Sequence, residues 1–202
     1  MNCLIIIDLQ NDFVSPNGSL YVPTSEQLIP IVNKLMNSFD NVILTRDWHP
    51  PGHISFASSW PGHKIGDKVR TDYGVLQELW PIHCVRGTWG AEFDKNLMIT
   101  PVKNIIEKGV EINVDSYSAF LDNNHKYSTG LNEWLRSRNI NNLYIMGVAT
   151  DFCVKYTCLD ALVLGYNVNL LYDATRAIND PLVTFRELKS QGVKLYSFKD
   201  YL

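Results

Sequence analysis

Tyr144-Ile-Met-Gly-Val-Ala-Thr-Asp-Phe-Cys-Val154 is an apolar run that breaks at Gly147 and then resumes with helical spacing. It reads as a buried strand, a tight turn and the start of a helix, the unit from which parallel α/β sheets are assembled. Cys153 falls in the first turn of that helix, where the dipole and free backbone N–H groups favour a thiolate. Lowering the pKa of a free cysteine from ~8.5 takes about 1.4 kcal/mol of preference for the anion per unit, so a cationic or basic partner is expected beside it. Without such a partner, a lone Cys153 reads as a small buried hydrophobe.

Working outward, the same alternation recurs along the chain. Leu4 to Ile7 is a continuous aliphatic run, as expected of a strand covered on both faces, and it delivers Asp8. Val42 to Thr45 is the next strand and leads to Asp47. Val102 to Ile106 ends in Glu107-Lys108-Gly109, Leu143 to Met146 leads into the Cys153 turn, and Val168 to Leu171 and Val193 to Phe198 complete six strands. Helical spacing covers Ser25 to Phe39, with Ser25 as N-cap, and about Thr129 to Arg138. It also runs from Cys153 to about Leu164, stopped by Gly165, and from Pro181 to Gln191, with proline at its start and Gly192 at its end. The expected fold is α/β: a doubly wound, mainly parallel six-stranded sheet with helices on both faces, forming a single domain over residues 1–202. Ligands bind such sheets at the carboxyl ends of the strands. Asp8, Asp47, Lys108 and the Cys153 turn are each expected just past such an end, so the fold gathers them on one edge.

Composition narrows the function. The chain has 202 residues, 46% hydrophobic and 19% charged, with a net charge of −3 and no basic run. That balance argues against a nucleic-acid or anionic-membrane partner. The apolar run at Cys3–Ile7 is too short for a signal h-region, and no stretch approaches membrane-spanning length, so a cytoplasmic protein is expected. Four cysteines without a C-x-x-C pair are expected to be reduced thiols.

Two constellations carry chemistry. Asp8, Lys108 and Cys153 together suit acyl transfer: a carboxylate takes the thiol proton and returns it to a leaving amine, while an ammonium holds the charged pair. Singly, Asp8 reads as a strand-end turn residue and Lys108 as a solvated cation. Backbone N–H groups near Val148-Ala149 and at Cys153 are placed to hold an oxyanion. The second constellation lies in an irregular excursion from Asp47 to about Thr100, long enough to be functional. Asp47-x-His49, with His83 and the nearby His53, offers imidazole and carboxylate ligands that suit zinc, iron(II) or manganese(II), with positions left for water or substrate. His63 and His125 read as surface or loop histidines, and Cys84 as core. Phe13, Trp80, Tyr117 and Phe120, with Leu20, fall on loops around the same edge and are candidates to wall a flat aromatic substrate.

Taken together, Asp8-Leu-Gln-Asn-Asp-Phe13, Asp47-Trp-His-Pro50 with His53 and Ser55-Phe56, Trp80-Pro-Ile-His-Cys-Val-Arg-Gly-Thr88, Glu107-Lys-Gly109 and Gly147-Val-Ala-Thr-Asp-Phe-Cys-Val154 resemble the nicotinamidase (pyrazinamidase) branch of the isochorismatase-like cysteine hydrolases. The resemblance runs in order from residue 4 to about 175. It implies hydrolysis of nicotinamide, and of pyrazinamide, in NAD salvage, with Cys153 as nucleophile, Asp8 as proton shuttle and Lys108 as electrostatic partner. It implies one divalent metal, zinc first, on Asp47, His49 and His83, with His53 an additional ligand or a group behind them. It also implies an oxyanion hole from the Ala149 and Cys153 amides, with a non-proline cis peptide before Ala149. The loop from Val110 to Asp115 departs from the family pattern, which leaves the roles of Tyr117 and Phe120 less defined. Competing readings are an amidase for N-carbamoyl or ureido substrates, which the metal motif disfavours, and a non-catalytic metal- or ligand-binding module. The expected partner is a small molecule, and a homo-oligomer is left open.

Overall fold

The computed structural model describes residues 1–202. Six strands form one sheet: β1 (Asn2–Ile7), β2 (Val42–Asp47), β5 (Asn104–Lys108), β6 (Asn142–Val148), β7 (Asn167–Arg176) and β8 (Lys194–Tyr196). Their order is β5-β2-β1-β6-β7-β8, and all five pairings are parallel. A separate antiparallel hairpin joins β3 (Lys68–Arg70) to β4 (Leu76–Glu78). This hairpin sits inside the excursion that sequence periodicity left unassigned, because three-residue strands are too short to show an alternation.

The double winding follows from β1. Its odd residues Cys3, Ile5 and Ile7 pack in one core with Leu131, Leu135, Cys158, Ala161 and Leu188. These come from α3 (Leu131–Arg136), α4 (Lys155–Val163) and α5 (Pro181–Ser190). Its even residues Leu4 and Ile6 pack in a second core with Leu28, Val32 and Leu35 of α2 (Leu28–Leu35). A period of two on an all-apolar strand therefore feeds two cores, which is why the run shows no alternation. A short helix, α1 (Asn11–Val14), follows β1.

Several boundaries differ from expectation. Ser25 does not cap α2; it lies in a 3-10 turn, and its buried hydroxyl donates to the Phe13 carbonyl. Asp180 caps α5 by accepting from Leu182 N–H, with Pro181 following as expected. β7 is ten residues long, not four, because it continues beside the end of β6 after a register shift. Asp47 and Lys108 are the last residues of β2 and β5, not residues beyond them, and they are direct partners in the ladder.

The sheet reverses direction between β1 and β6: β2 and β5 lie on one side of this pair, β7 and β8 on the other. Such a switch point is where a doubly wound sheet opens a crevice. Asp8 follows β1, and the Cys153 turn follows β6. Gly147 is required here because a Cβ on it would overlap the Ile7 carbonyl oxygen, and its φ is +116°.

Candidate active site

Four side chains meet at this crevice. Lys108 Nζ lies 2.8 Å from Asp8 Oδ2, 3.2 Å from Cys153 Sγ and 3.2 Å from the Ser116 carbonyl oxygen, and it is paired with Asp47 Oδ1. The acidic atoms of Asp8, Asp47 and Cys153 lie within 4.8 Å of one another. The lysine ammonium thus sits at the centre of three acidic groups, held by a side chain with no solvent exposure. Burial alone would neutralise Lys108, but Asp47 and Asp8 outweigh it and hold its pKa well above the usual lysine value.

Asp8 is fully buried and has a left-handed backbone, with φ +53°. Its Oδ1 accepts a hydrogen bond of 2.5 Å from Thr45 Oγ1. Burial raises the Asp8 pKa above its ordinary value; Lys108 opposes the rise and Asp47 adds to it. A carboxyl raised in this way is a better proton acceptor than a free aspartate.

Cys153 corrects the sequence reading in two respects. Residues Thr150–Val154 form a π-helical turn, so the thiol lies just ahead of α4 and not in its first α-helical turn. Burial also pushes the Cys153 thiol well above its ordinary pKa, although Lys108 pulls the other way. The helix end does not by itself make a thiolate; a proton acceptor at the sulfur is needed, and Asp8 is the neighbour able to serve. The Val148–Ala149 peptide bond is cis, as the resemblance implies.

The second constellation shares a residue with the first. Asp47 Oδ2 lies 3.6 Å from His49 Nε2 and 3.9 Å from His83 Nε2. The other nitrogen of each ring donates to a backbone carbonyl: His49 Nδ1 to Gly109 O at 2.8 Å and His83 Nδ1 to Pro81 O at 2.8 Å. These bonds hold Nδ1 of each ring as the donor and turn both Nε2 atoms toward Asp47 Oδ2. Burial opposes charge on His49 but that carboxylate raises its pKa, so a metal ion bound there would displace a proton from His49 Nε2. His49 Nε2 is buried without a hydrogen-bond partner, a costly arrangement that a cation at this point would satisfy. Burial, reinforced by His49, lowers the His83 pKa to about 4, which favours the neutral ligand form. One oxygen and two imidazole nitrogens suit a divalent transition metal with positions left for other ligands.

His53 stands apart from this set. Its Nδ1 pairs with Ser55 Oγ at 2.7 Å and its Nε2 donates to Val114 O at 3.2 Å, while its ring stacks on His49 with centroids 4.1 Å apart. It supports the His49 ring from behind. Gly109 makes room for His49 in turn: its φ is +61°, and a Cβ there would lie 2.6 Å from His49 Nδ1. His63 is an exposed partner of Asp67, and His125 is an exposed loop residue with φ +56°.

Beside both constellations lies a cavity that reaches Cys153, Ala149, Asp47 and His83. Its walls include four of the five anticipated residues, Phe13, Leu20, Trp80 and Tyr117. Phe120 is not among them: it is buried in the core and stacks on Tyr166. Sequence reasoning missed Val22, Phe152, Asp115 and Ile178 as cavity residues. Phe152 adjoins the cysteine and could have been read from it; Asp115 and Ile178 lie on loops without a periodic signal. Phe152 meets Trp80 edge to face, with centroids 4.8 Å apart, and the resulting apolar slot suits a small flat ring.

Comparison with known proteins agrees with this geometry. Residues 2–193 match the isochorismatase domain family. A nicotinamidase of Acinetobacter baylyi is 43% identical over 205 residues, covering 100% of this chain and 95% of the relative. Among solved structures, a nicotinamidase and pyrazinamidase of Acinetobacter baumanii superposes with a TM-score of 0.95 at 41% identity, covering 100% of this chain and 98% of the other. The yeast nicotinamidase bound to the inhibitor nicotinaldehyde gives 0.90 at 36% identity over 98% and 100% of the two chains. A Pyrococcus horikoshii pyrazinamidase in complex with zinc gives 0.79 at 37% identity over 97% and 98%. The chain is therefore an amide hydrolase and belongs to the isochorismatase family, on its nicotinamidase/pyrazinamidase branch.

Proposed function

We propose that this protein hydrolyses nicotinamide, and its diaza analogue pyrazinamide, to the aromatic acid and ammonia, with Asp8, Lys108 and Cys153 as the reacting group. The observation that carries this reading is the buried Lys108 ammonium, in contact at once with Asp8, Cys153 and the carboxylate that faces the two histidines. The chain acts as one domain, in the cytoplasm, within NAD salvage; no helix is long and apolar enough to cross a membrane.

Asp8 takes the Cys153 proton as the sulfur attacks the carboxamide carbon. The Ala149 and Cys153 amides hold the developing oxyanion, a type of interaction worth about 3–4 kcal/mol per donor. Lys108 keeps the extra negative charge of the attack paired. As the C–N bond breaks, Asp8 returns the proton to the leaving nitrogen, releasing ammonia and leaving a thioester on Cys153. Asp8 then deprotonates a water that attacks the thioester, the C–S bond breaks, and the thiol is restored. Asp47, His49 and His83 hold a divalent ion, zinc first and iron or manganese as alternatives, with His53 behind His49. When bound, the ion would supply a Lewis-acid anchor for a ring nitrogen in the cavity lined by Phe13 and Trp80.

The test is ammonia release from nicotinamide by the purified protein, before and after chelator treatment and after readdition of zinc, iron(II) or manganese(II). The expected result is turnover that chelation lowers and one of the metals restores. Absence of ammonia release from nicotinamide under every metal condition contradicts the proposal.

A further inference from the structure

The substrate slot has a wall whose support comes from outside the catalytic elements. Tyr117 lines the cavity, meets Phe152 with ring centroids 5.5 Å apart, and accepts a hydrogen bond of 3.2 Å from Trp80 Nε1 at its hydroxyl. Asp115 lines the same cavity and is buried, yet the reaction scheme gives it no role. Both are reached by one side chain, Gln77, in the middle residue of β4. Gln77 is fully buried; its Nε2 lies 3.0 Å from Asp115 Oδ2 and 3.3 Å from the Tyr117 hydroxyl, and 2.8 Å from the Glu78 carbonyl oxygen. Its Oε1 is buried and has no donor. The unsatisfied oxygen costs stability, and so would removal of the amide, because the buried Asp115 Oδ2 would lose this donor. What the amide contributes is a fixed link between the hairpin and two cavity residues that belong to the loop after β5.

We propose that Gln77 is a positioning residue, delivered by the β3–β4 hairpin, whose carboxamide holds Tyr117 and Asp115 in place and thereby sets how tightly the slot grips the aromatic ring. This rests on the nicotinamidase reading of the same cavity. The carboxamide itself touches no atom of Asp8, Lys108 or Cys153. Its route to them runs through Asp115 Oδ1, which accepts from the N–H of Ser116, whose carbonyl receives Lys108 Nζ, so its main effect is expected on ring binding with only a small one on kcat. The hairpin is then a specificity element grafted onto the sheet, adding to the Trp80 bond a second donor at the Tyr117 hydroxyl and a donor at Asp115.

The test uses the full-length, metal-loaded enzyme with nicotinamide as substrate. Gln77→Leu is expected to raise KM about fivefold, the scale of one or two lost hydrogen bonds, with kcat within twofold of wild type. Tyr117→Phe removes the other end of one of these bonds, and the double variant is expected to raise KM by less than the product of the two single effects. Metal content and the rate of Cys153 alkylation by iodoacetamide are expected to stay at wild-type values in Gln77→Leu. If Gln77→Leu fails to fold, Gln77→Met supplies the same comparison. An unchanged KM, a fall in kcat without a rise in KM, or strictly multiplicative effects in the double variant overturns the proposal while leaving the nicotinamidase reading intact. A wild-type protein inactive on nicotinamide overturns both.

Discussion

Asp47 and Lys108 are register partners at the ends of two parallel strands, and their side chains close a buried ion pair. The relationship has two consequences. It anchors the ammonium that faces Asp8 and Cys153, and it fixes the carboxylate so that its second oxygen faces His49 and His83. Surrounded by Lys108, His49 and His83, the Asp47 carboxyl is held well below the usual carboxylate range despite its burial. The thiol centre and the metal centre are therefore coupled through one side chain.

That coupling separates two variants of the metal set. His83→Ala is expected to lose bound metal while the iodoacetamide alkylation rate of Cys153 stays within about twofold, since His83 is not among the groups around Lys108 Nζ. Asp47→Asn is expected to lose metal and also to change the alkylation rate by about tenfold, because Lys108 loses an anionic partner. Metal analysis and alkylation kinetics on the two proteins check this; equal alkylation rates would contradict the shared role of Asp47.

Lys108→Met removes the ammonium that contacts two buried carboxylates, Asp8 and Asp47. The expected cost is about 3–5 kcal/mol of stability, read from denaturant midpoints, with loss of activity by at least ~10³. A Lys108→Met protein of wild-type stability would show that the carboxylates do not depend on this ammonium.

The acidic limb of kcat/KM reports the free enzyme's essential base, assigned to Asp8. Burial has already raised this carboxyl above its ordinary value. The hydrogen bond from Thr45 Oγ1 stabilises the anion and so lowers the pKa. Deleting it in Thr45→Val raises the pKa further, so the base form is lost at higher pH and the acidic limb moves up. A pH–rate profile checks the direction; a limb that stays put or moves down would remove Asp8 from the role.

Gly109→Ala puts a methyl against the His49 ring and forces φ +61° on an alanine. Because Gly109 O also fixes the His49 tautomer, metal affinity is expected to fall about 10–100-fold, measured by chelator competition. Unchanged affinity would show that His49 is not held through this contact.

Much of this arrangement was legible in the sequence because it depends on strand ends. Asp8, Asp47, Lys108 and Cys153 each follow or terminate an apolar run, and a parallel sheet aligns such ends by topology alone. The D-x-H pattern likewise survives as geometry, since alternate residues on an extended backbone share a side. What escaped was set by tertiary packing. The π-turn at Thr150–Val154 looks helical in sequence, and the raised thiol comes from burial that no local pattern encodes. Phe120 sits on a loop that sequence pattern alone places at the cavity, but its carbonyl accepts from Thr129 N–H and its side chain is buried in the core. The β3–β4 hairpin was invisible because its strands are three residues each.

The sulfur that touches Lys108 is the group that attacks the amide in this mechanism. Ammonia release from nicotinamide by metal-loaded Cys153→Ala tests this most directly, with thermal unfolding as the check on folding. The predicted result is a rate at least ~10⁴ below wild type in a protein that melts normally; a rate within tenfold of wild type would contradict it.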